Sequence, residues 1–505
     1  MPSCARCERP AEKTTTDLTP LLVLEANDLA DLVDRGTLRA VARSIEKGAS
    51  MGRKRRQMPM RVLMAAILVS PSAFAQHSHT DENPSTAPAM EMASSTGTGE
   101  AHQGDHAGVS HEHAMMGPLG IARSRAGSGT SWLPDSSPMY GFMGPLGAGG
   151  FMVHENVFGG YDWFGSDRGS HKAVSINSVM GMAWYPAGPG EVMGRVMLSA
   201  EPLTVGKRGY PLILQTGETA NGEPLHDRQH PHDFFMELAV QYTVPITESW
   251  GVELYVAPAG EPALGPTAYP HRVSAISDPL APISHHWQDS THIAFGVLTA
   301  GVFTRMFKLE GSWFNGREPD ENRWDLDLRV PDSYSGRLTW NPGANWSLQG
   351  SYGYLASPEP QDTSIWLHRI TTSITYNEPL AGGANWASTV AFGQNIPKGA
   401  PSTPSLLLES NWNADGHHVI FGRAEYVRKT GEDLVLANRE GTVHDVGLLG
   451  LGYVYYFGPF AMLSPGLGVR GSAALVEKAL EEPYGTRLPL GVMLFAQLRP
   501  AEMGQ

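Results

Sequence analysis

Cysteine is almost absent from this 505-residue chain, whose two cysteines, Cys4 and Cys7, both lie near its start. A lone CxxC pair can be half of a zinc site or a redox pair. Here no second pair exists and no strand–helix pattern surrounds it. We therefore do not expect the pair to be functional, and the chain beyond residue 75 contains no cysteine at all.

Charge and long hydrophobic runs are also scarce. Charged residues make up 17% of the chain, and no stretch after residue 75 approaches the ~20 apolar residues of a membrane-spanning helix. The net charge is −14, which argues against nucleic acid as a partner and is compatible with binding cations. Glycine (57) and proline (38) are plentiful, which favours many short strands joined by turns. A helical membrane protein is excluded.

Residues 51–75 have the pattern of a secretory signal peptide: a basic stretch, an apolar stretch at Val62–Val69 and an AFA cleavage box. Such a peptide belongs at an N-terminus, yet residues 1–50 precede it. The simplest interpretation is a mis-assigned start, with translation beginning at Met51, Met58 or Met60. The alternative is a cytoplasmic extension before an internal anchor. Cleavage makes Gln76 the first residue of the mature chain.

Residues 76–149 are predicted to be a disordered tail and linker. Between residues 76 and 117 hydrophobic periodicity is absent, so this segment cannot bury enough apolar surface to fold alone. Imidazole suits Cu(II), Zn and Ni, whereas thioether suits Cu(I), so a mixture of the two predicts a copper ion first, with zinc and nickel as alternatives. The candidate ligands of the tail are His77, His79, His102, His106, His111, His113, Met90, Met92, Met115 and Met116. The competing interpretation is a solvated linker that is rich in histidine.

From residue 150 onward the chain is a series of sixteen strand-like runs, several of which alternate cleanly, as in SINSVMGMAWY. Run lengths of ~9–11 residues fit tilted strands that cross a bilayer. The runs are 151–163, 172–185, 192–201, 233–244, 250–257, 292–303, 306–314, 333–341, 345–355, 366–377, 385–394, 404–413, 417–428, 444–456, 460–470 and 489–498.

Connections between these runs alternate between short and long, which is typical of outer-membrane barrels with short periplasmic turns and long outer loops. The sequence therefore predicts an all-β fold: a transmembrane antiparallel β-barrel of about 16 strands over residues 150–505. An even strand number leaves both termini, and the His/Met-rich tail, in the periplasm. A soluble propeller is the competing fold, but it should show a repeated signature every ~40–50 residues, and none is found.

Three successive long loops, at 202–232, 258–291 and 315–332, contain unusual densities of His, Asp, Glu, Arg and Pro. Residues of these types pair or pack, so we expect the loops to fold inward into the barrel mouth or lumen. His230 and His232 are two apart, which puts both on one face of an extended strand. The candidate metal ligands of the loops are His226, His230, His232, His285, His286 and His292.

Nearby carboxylates, namely Asp227, Asp233, Glu318 and Asp320, favour cations. The alternative to a metal or substrate site is a wet lumen network in which the His and Asp groups neutralise the arginines of the loops, Arg228, Arg272, Arg317 and Arg323.

The stretch HHWQDSTH also contains the residue types of a lipid hydrolase, in His286, Asp289, Ser290 and His292. A nucleophile needs a base within hydrogen-bond reach and a third group that orients the base. Asp289 and Ser290 point to opposite faces if the stretch is extended, and it lies in a loop. We therefore predict no enzymatic activity.

A His/Met-rich tail after a signal peptide, followed by a predicted barrel, resembles the organisation of copper resistance protein B, an outer-membrane barrel of copper-tolerance systems. The likeness covers residues 76–117 and the general architecture. The motifs RGYPLILQTGE, PLHDRQHPHD, GEPALGP, HHWQDSTH and NGREPDE resemble those of a distinct group of proteobacterial envelope proteins associated with heavy-metal tolerance.

These observations favour copper or heavy-metal tolerance by binding or passing cations. The expected partners are metal ions, outer-membrane lipids and periplasmic metal-tolerance proteins. A general porin-like channel for a small solute is the second candidate function, and an outer-membrane lipid hydrolase is the third.

Overall fold

The computed structural model describes residues 115–358, 364–439 and 441–503. The predicted signal peptide and every tail histidine lie outside the described residues, as do Met90 and Met92.

The described chain contains nineteen strands, of which sixteen form a closed antiparallel barrel. In chain order they are β1 (Phe142–Leu146), β2 (Gly149–Gly165), β3 (His171–Ala187), β4 (Gly190–Leu198), β5 (Tyr210–Ala220), β6 (Glu223–Gln229), β7 (Phe235–Pro245), β8 (Gly251–Gly260), β9 (Ala294–Phe303), β10 (Phe307–Asn315), β11 (Ser333–Gly343), β12 (Trp346–Ala356), β13 (Trp366–Pro379), β14 (Asn385–Pro397), β15 (Thr403–Asn413), β16 (His418–Thr430), β17 (Val443–Tyr456), β18 (Leu463–Val476) and β19 (Leu490–Pro500).

Each wall strand pairs with its neighbour in the order β2-β3-β4-β7-β8-β9 and then β10 to β19, and β19 closes onto β2. Strand β1 pairs with the first residues of β2, and β5 and β6 form a separate hairpin. The helices are short: α1 (Glu201–Thr204), α2 (His285–Gln288) and α3 (Glu481–Tyr484), with 3-10 turns at Pro118–Gly120, Arg123–Arg125, Tyr269–His271, Val273–Ala275, Ser290–His292, Ala381–Gly383 and Lys478–Leu480.

The predicted fold is confirmed, because each of the sixteen predicted runs overlaps one wall strand. The alternation of connections is confirmed as well. Turns such as 188–189 and 304–306 are short, whereas the connections 199–234 and 261–293 on the opposite end of the barrel are long. The described ends of the chain meet at the short-turn end, where Tyr140 forms a β-bridge with Glu502.

The barrel has an apolar exterior and a polar interior. In β8 the outward side chains of Val252, Leu254 and Val256 are 37%, 46% and 47% exposed, whereas the inward Glu253 and Tyr255 are buried. The charged side chains of wall residues such as Lys308, Arg337 and Arg470 are buried in the lumen. Alternation of apolar-out and polar-in residues is the pattern of a barrel that crosses a lipid bilayer.

Aromatic residues form a band on the outer surface at each end of the barrel. Near the short turns the rings of Phe307 and Trp340 stack with centroids 5.9 Å apart. Near the long loops the rings of Tyr334 and Tyr354 stack at 5.2 Å. Such bands mark the two membrane–water interfaces. No helix in the described part of the chain is long and apolar enough to span a membrane.

Two of the three long loops, 202–232 and 258–291, fold inward and fill the lumen, as expected. Most of the third, 315–332, is partly or fully exposed instead, with Val330 81% exposed. The β5–β6 hairpin buries Leu212, Ile213 and Leu214. The sequence predicts a loop at this hairpin, because its apolar run LIL does not alternate. Residues 261–285 pack beside it, and Leu280 and Ile283 belong to the same buried cluster.

Residues 115–149 differ from the expected disordered linker. Arg125 binds Asp135 at 2.5 and 2.6 Å and donates to the carbonyl oxygen of Arg305. Deeper inside, the carbonyl oxygens of Gly127 and Thr130 accept hydrogen bonds from the wall residues Arg195 and Lys308. Inward-facing cations of the wall therefore hold this segment in the lumen. Its low hydrophobicity could not reveal this, because its partners are charges on distant strands.

Candidate metal centre

Helix α2 carries two of the predicted ligands and is anchored to the barrel wall. The Oε2 atom of Glu425 accepts from both the backbone N–H (2.9 Å) and the hydroxyl (2.7 Å) of Ser284, which precedes the helix. Within the helix, Nε1 of Trp287 donates to the hydroxyl of Thr403 at 2.7 Å. These bonds fix the position of the helix in the lumen, and with it the side chains of His285 and His286.

Five of the six predicted loop histidines converge in the lumen. Ring centroids are 5.8 Å apart for His230 and His286, 5.1 Å for His286 and His285, 5.0 Å for His285 and His292, and 5.4 Å for His292 and His232. All five are buried. The rings form a continuous row, which we call the histidine cluster.

Every ring of the histidine cluster has its Nδ1 atom beside an oxygen acceptor. The acceptors for His232, His285 and His286 are carboxylates, at 2.9, 2.6 and 2.9 Å respectively. They belong to Glu201, Asp289 and Glu318. For His230 and His292 the acceptors are the backbone oxygens of Pro231 and Asp289, at 3.0 and 2.8 Å.

Burial keeps the rings of His230, His285 and His292 neutral. It lowers the pKa of His285 to about 4, although the Asp289 carboxylate opposes the shift. Burial and the neighbouring His286 ring hold the pKa of His230 well below its ordinary value, and burial and His285 do the same for His292. A neutral imidazole with its proton on Nδ1 presents a lone pair on Nε2.

The Nε2 atoms of His230, His286 and His292 are buried and have no hydrogen-bond partner among the described residues. Burying a polar nitrogen without a hydrogen-bond partner costs free energy in folding. Each such atom therefore calls for an explanation, such as a bound ion. Metal-bound histidines characteristically donate the other ring N–H to a carboxylate or a backbone carbonyl, as these rings do. The histidine cluster therefore has the donor set and the outer hydrogen bonds of a metal site.

Three of the rings are close enough to share one ion. Ligand atoms of His230, His285 and His286 all lie within 4.8 Å of one another. Nitrogens bound at about 2.1 Å in a tetrahedral site lie roughly 3.4 Å apart, so the present separations exceed that spacing by at most about 1.4 Å. Imidazole ligands suit Zn, Cu, Fe and Ni.

The structure does not bring His226 into the histidine cluster. This residue lies on β6 with its side chain 42% exposed, where Nδ1 is 3.1 Å from Asp227 and 2.6 Å from Arg168. Its side chain therefore lies at the exposed side of the hairpin, whereas His230 and His232 follow the hairpin and are buried. Met115 and Met116 lie at the short-turn end, because Leu119 just beyond them accepts a hydrogen bond from Arg305 in the turn 304–306.

The predicted network of ion pairs is also present, beside the histidine cluster. Arg272 binds Asp289 at 2.7 Å and Glu409 at 2.5 Å, and Glu409 also pairs with Arg423 at 3.1 Å. Arg323 pairs with Asp233 at 3.2 Å and with Glu218. Arg272 and Arg323 thus have carboxylate partners of their own, and the Nε2 atoms of the histidines are not needed to neutralise them.

The acidic residues of the predicted site have separate roles. Glu318 orients His286, whereas Asp227 and Asp233 pair with Arg168 and Arg323. Asp320 lies on the exposed loop surface.

Among the described residues, no general base is hydrogen-bonded to the hydroxyl of Ser290. Its Oγ accepts a hydrogen bond from Nη1 of Arg369 at 2.8 Å. The Asp289 carboxylate is bound by His285 and Arg272. The arrangement of nucleophile, base and orienting acid that a hydrolase requires is therefore not formed by these residues.

Three residues of the site could not be found from the sequence. The hydroxyl of Tyr269 is 3.1 Å from Nε2 of His232, Glu201 binds both the backbone and the ring of His232, and Glu218 is 3.2 Å from Nδ1 of His230. None of them lies within a histidine-rich motif, and no local pattern marks them.

Fold, outer surface and filled lumen together define a transmembrane β-barrel of the outer-membrane type. No protein-family model and no curated protein matches the chain. Similar solved structures include a loop-deletion mutant of OmpT, an outer membrane protein of Vibrio cholerae, with 9% identity, 70% of this chain and 99% of that chain covered, and a TM-score of 0.41.

The anion-selective porin from Comamonas acidovorans has 10% identity, covers 69% and 99% of the two chains and has a TM-score of 0.41. OmpF of Salmonella typhi in complex with daunomycin has 10% identity, covers 70% and 100%, and has a TM-score of 0.42. Similarity at this level carries no argument about function, which has to come from the site.

Proposed function

We propose that this chain is an outer-membrane protein that binds a transition-metal cation in its lumen and supports tolerance to copper or a related metal. The observation that carries the proposal is a set of buried Nε2 atoms, on His230, His286 and His292, that have no hydrogen-bond partner in the described part of the chain, while their Nδ1 atoms are held by acceptors. A solvated network of ion pairs does not require histidine Nε2 atoms that are buried and lack a hydrogen-bond partner.

Copper is the metal favoured by the rest of the chain. The tail combines imidazole with thioether and contains no thiol, which suits copper in both oxidation states. In this proposal the tail collects metal in the periplasm and the histidine cluster holds it inside the barrel. The resemblance in organisation to copper resistance protein B supports the same interpretation.

Metal tolerance of a deletion strain tests the proposal. We expect deletion of the gene to sensitise cells to copper, and the full chain and the His226→Ala variant to restore tolerance. The double variant His285→Ala/His286→Ala should fail to restore it, because it removes two neighbouring ligands. A variant without residues 76–114 reports on the tail separately. Unchanged tolerance to copper, zinc and nickel in the deletion strain contradicts the proposed function.

A porin-like channel for a small solute is the second candidate, and it requires an open lumen. The described lumen residues leave little room: the cavity beside His232 and Tyr269 measures about 30 Å³, and the cavity at the short-turn end measures about 110 Å³. We therefore expect the full chain to show low conductance in planar bilayers. Deleting residues 210–229, the β5–β6 hairpin, should raise the single-channel conductance several-fold, because it removes part of the loop structure that fills the lumen. High conductance of the intact protein would favour the channel over the metal site.

A further inference from the structure

Methionines are concentrated on one side of the lumen. Strands β1, β2, β3, β4 and β7, which are neighbours in the sheet, contribute seven of them: Met143, Met152, Met180, Met182, Met193, Met197 and Met236. Together they form what we call the methionine track. Its members alternate with outward-facing residues on β3 and β4, so their side chains point into the barrel.

The methionine track begins in a cavity of about 110 Å³ at the short-turn end. Four methionines line this cavity: Met143, Met152, Met182 and Met193. Gly117 and Ala122 line it as well, and Ala122 forms a β-bridge with Met116. The last residues of the His/Met-rich tail therefore lie at the mouth of a cavity that is itself lined by thioethers.

The methionine track ends at the histidine cluster. Met182 packs against a buried group that contains Met180, Met197 and Met236. Met197 and Met236 then line a small cavity together with His292, and Met236 also lines the cavity that contains His232. Each step shares a residue with the next, so methionines line the successive cavities from Gly117 to the histidine cluster.

Among the described residues, three arginines lie along the methionine track, and each has a carboxylate partner. Arg123 and Arg125 line the cavity at the short-turn end, where they pair with Glu191 at 2.7 Å and Asp135 at 2.5 Å. Arg195 points inward between Met193 and Met197 on β4. Its guanidinium is 3.3 Å from the Glu237 carboxylate and donates to the carbonyl oxygen of Gly127. It therefore adds no net charge to the lumen beside the thioethers.

We propose that the methionine track is a binding route for a soft monovalent cation, Cu(I) or Ag(I), between the tail and the histidine cluster. Thioether sulfur is a soft ligand that selects Cu(I) and binds Zn(II) or Ni(II) poorly. The methionine side chain is unbranched and flexible, which allows successive sulfurs to approach one ion. This inference rests on the proposed function and adds the class of metal, its charge and its route.

Silver binding by the full chain in detergent micelles tests the route, with Ag(I) as a redox-inert probe titrated against a chromophoric chelator. The test variant is Met152→Leu/Met182→Leu/Met193→Leu, because exchange of Met for Leu conserves volume and usually costs less than about 1.5 kcal/mol. The matched control is Met493→Leu, a buried methionine on β19 in a different part of the lumen. The single variant Met193→Leu guards against a folding defect in the triple variant.

We expect the triple variant to bind one Ag(I) equivalent fewer than the wild type, the Met193→Leu variant to bind that equivalent more weakly, and the control to match the wild type. All four proteins contain the same tail methionines, so any Ag(I) bound by the tail does not contribute to the differences between them. Co(II), followed by its visible spectrum, reports on the histidine cluster in the same samples and should be unaffected.

Equal Ag(I) stoichiometry and affinity in the wild type and both track variants would overturn the route while Co(II) binding leaves the proposed function in place. Failure of the wild type to bind Co(II) would overturn the proposed function itself, and with it the route.

Discussion

The variant His285→Ala/His286→Ala is expected to lose more than about 100-fold in affinity for Co(II), measured by titration of the visible spectrum in detergent micelles. Loss of a single outer hydrogen-bond partner of a metal ligand typically costs about 10–100-fold, and this variant removes two ligands rather than their supports. The two rings are adjacent in the histidine cluster, with centroids 5.1 Å apart. Their removal leaves His230 as the one member of the three-histidine group.

The matched control for this prediction is His226→Ala. His226 belongs to the same histidine-rich sequence motif but lies outside the histidine cluster, beside Asp227 and Arg168. Its replacement should leave Co(II) affinity within experimental error of the wild type. Equal losses in both variants would show that the metal is bound elsewhere in the chain and that the histidine cluster has another role.

The second large effect is expected for the stability of the folded barrel. Replacing Arg272 by Met leaves the buried carboxylates of Asp289 and Glu409 without their shared partner. Breaking a buried ion pair by removing one member costs about 3–5 kcal/mol, because the remaining charge stays in a poorly solvated place. Urea unfolding of the refolded protein in lipid vesicles measures the change in the free energy of unfolding.

An exposed pair offers the comparison. Arg428 and Asp445 pair at 2.8 Å with side chains 38% and 50% exposed. Ion pairs of this kind contribute about 0–1 kcal/mol, so Arg428→Met should change the free energy of unfolding by no more than that. If both variants lose the same free energy of unfolding, Arg272 does not hold the connection 261–293 in the lumen.

The strand pattern of this barrel could be predicted because it is a local property. Alternation along β3 and β8 follows from a lipid-facing and a lumen-facing side, and this period of two is written directly in the sequence. Turn residues mark the short connections in the same way. Strand β1 and the β5–β6 hairpin could not be recognised from this period, since neither crosses the bilayer.

The histidine cluster could be predicted only in part. The types of residue were recognisable, and His230, His232, His285, His286 and His292 were all among the candidates. Their grouping was not recognisable, because His230 and His232 lie on one loop and His285, His286 and His292 on the next, and the two loops meet only after the barrel has closed. Glu201 and Tyr269, which contact His232, are 31 and 37 residues away from it, and no local pattern indicates either contact.

The sequence by itself determined the class of the protein: an exported barrel with sixteen wall strands, alternating loops and a concentration of potential metal ligands. Periodicity, turn residues and ligand chemistry are properties of short segments, and they do not depend on tertiary contacts. The tertiary structure alone decided that residues 125–137 enter the lumen, that His226 lies apart from its neighbours and that methionines of five strands line one side of the interior. Each of these depends on contacts between distant segments, which closure of the barrel brings together.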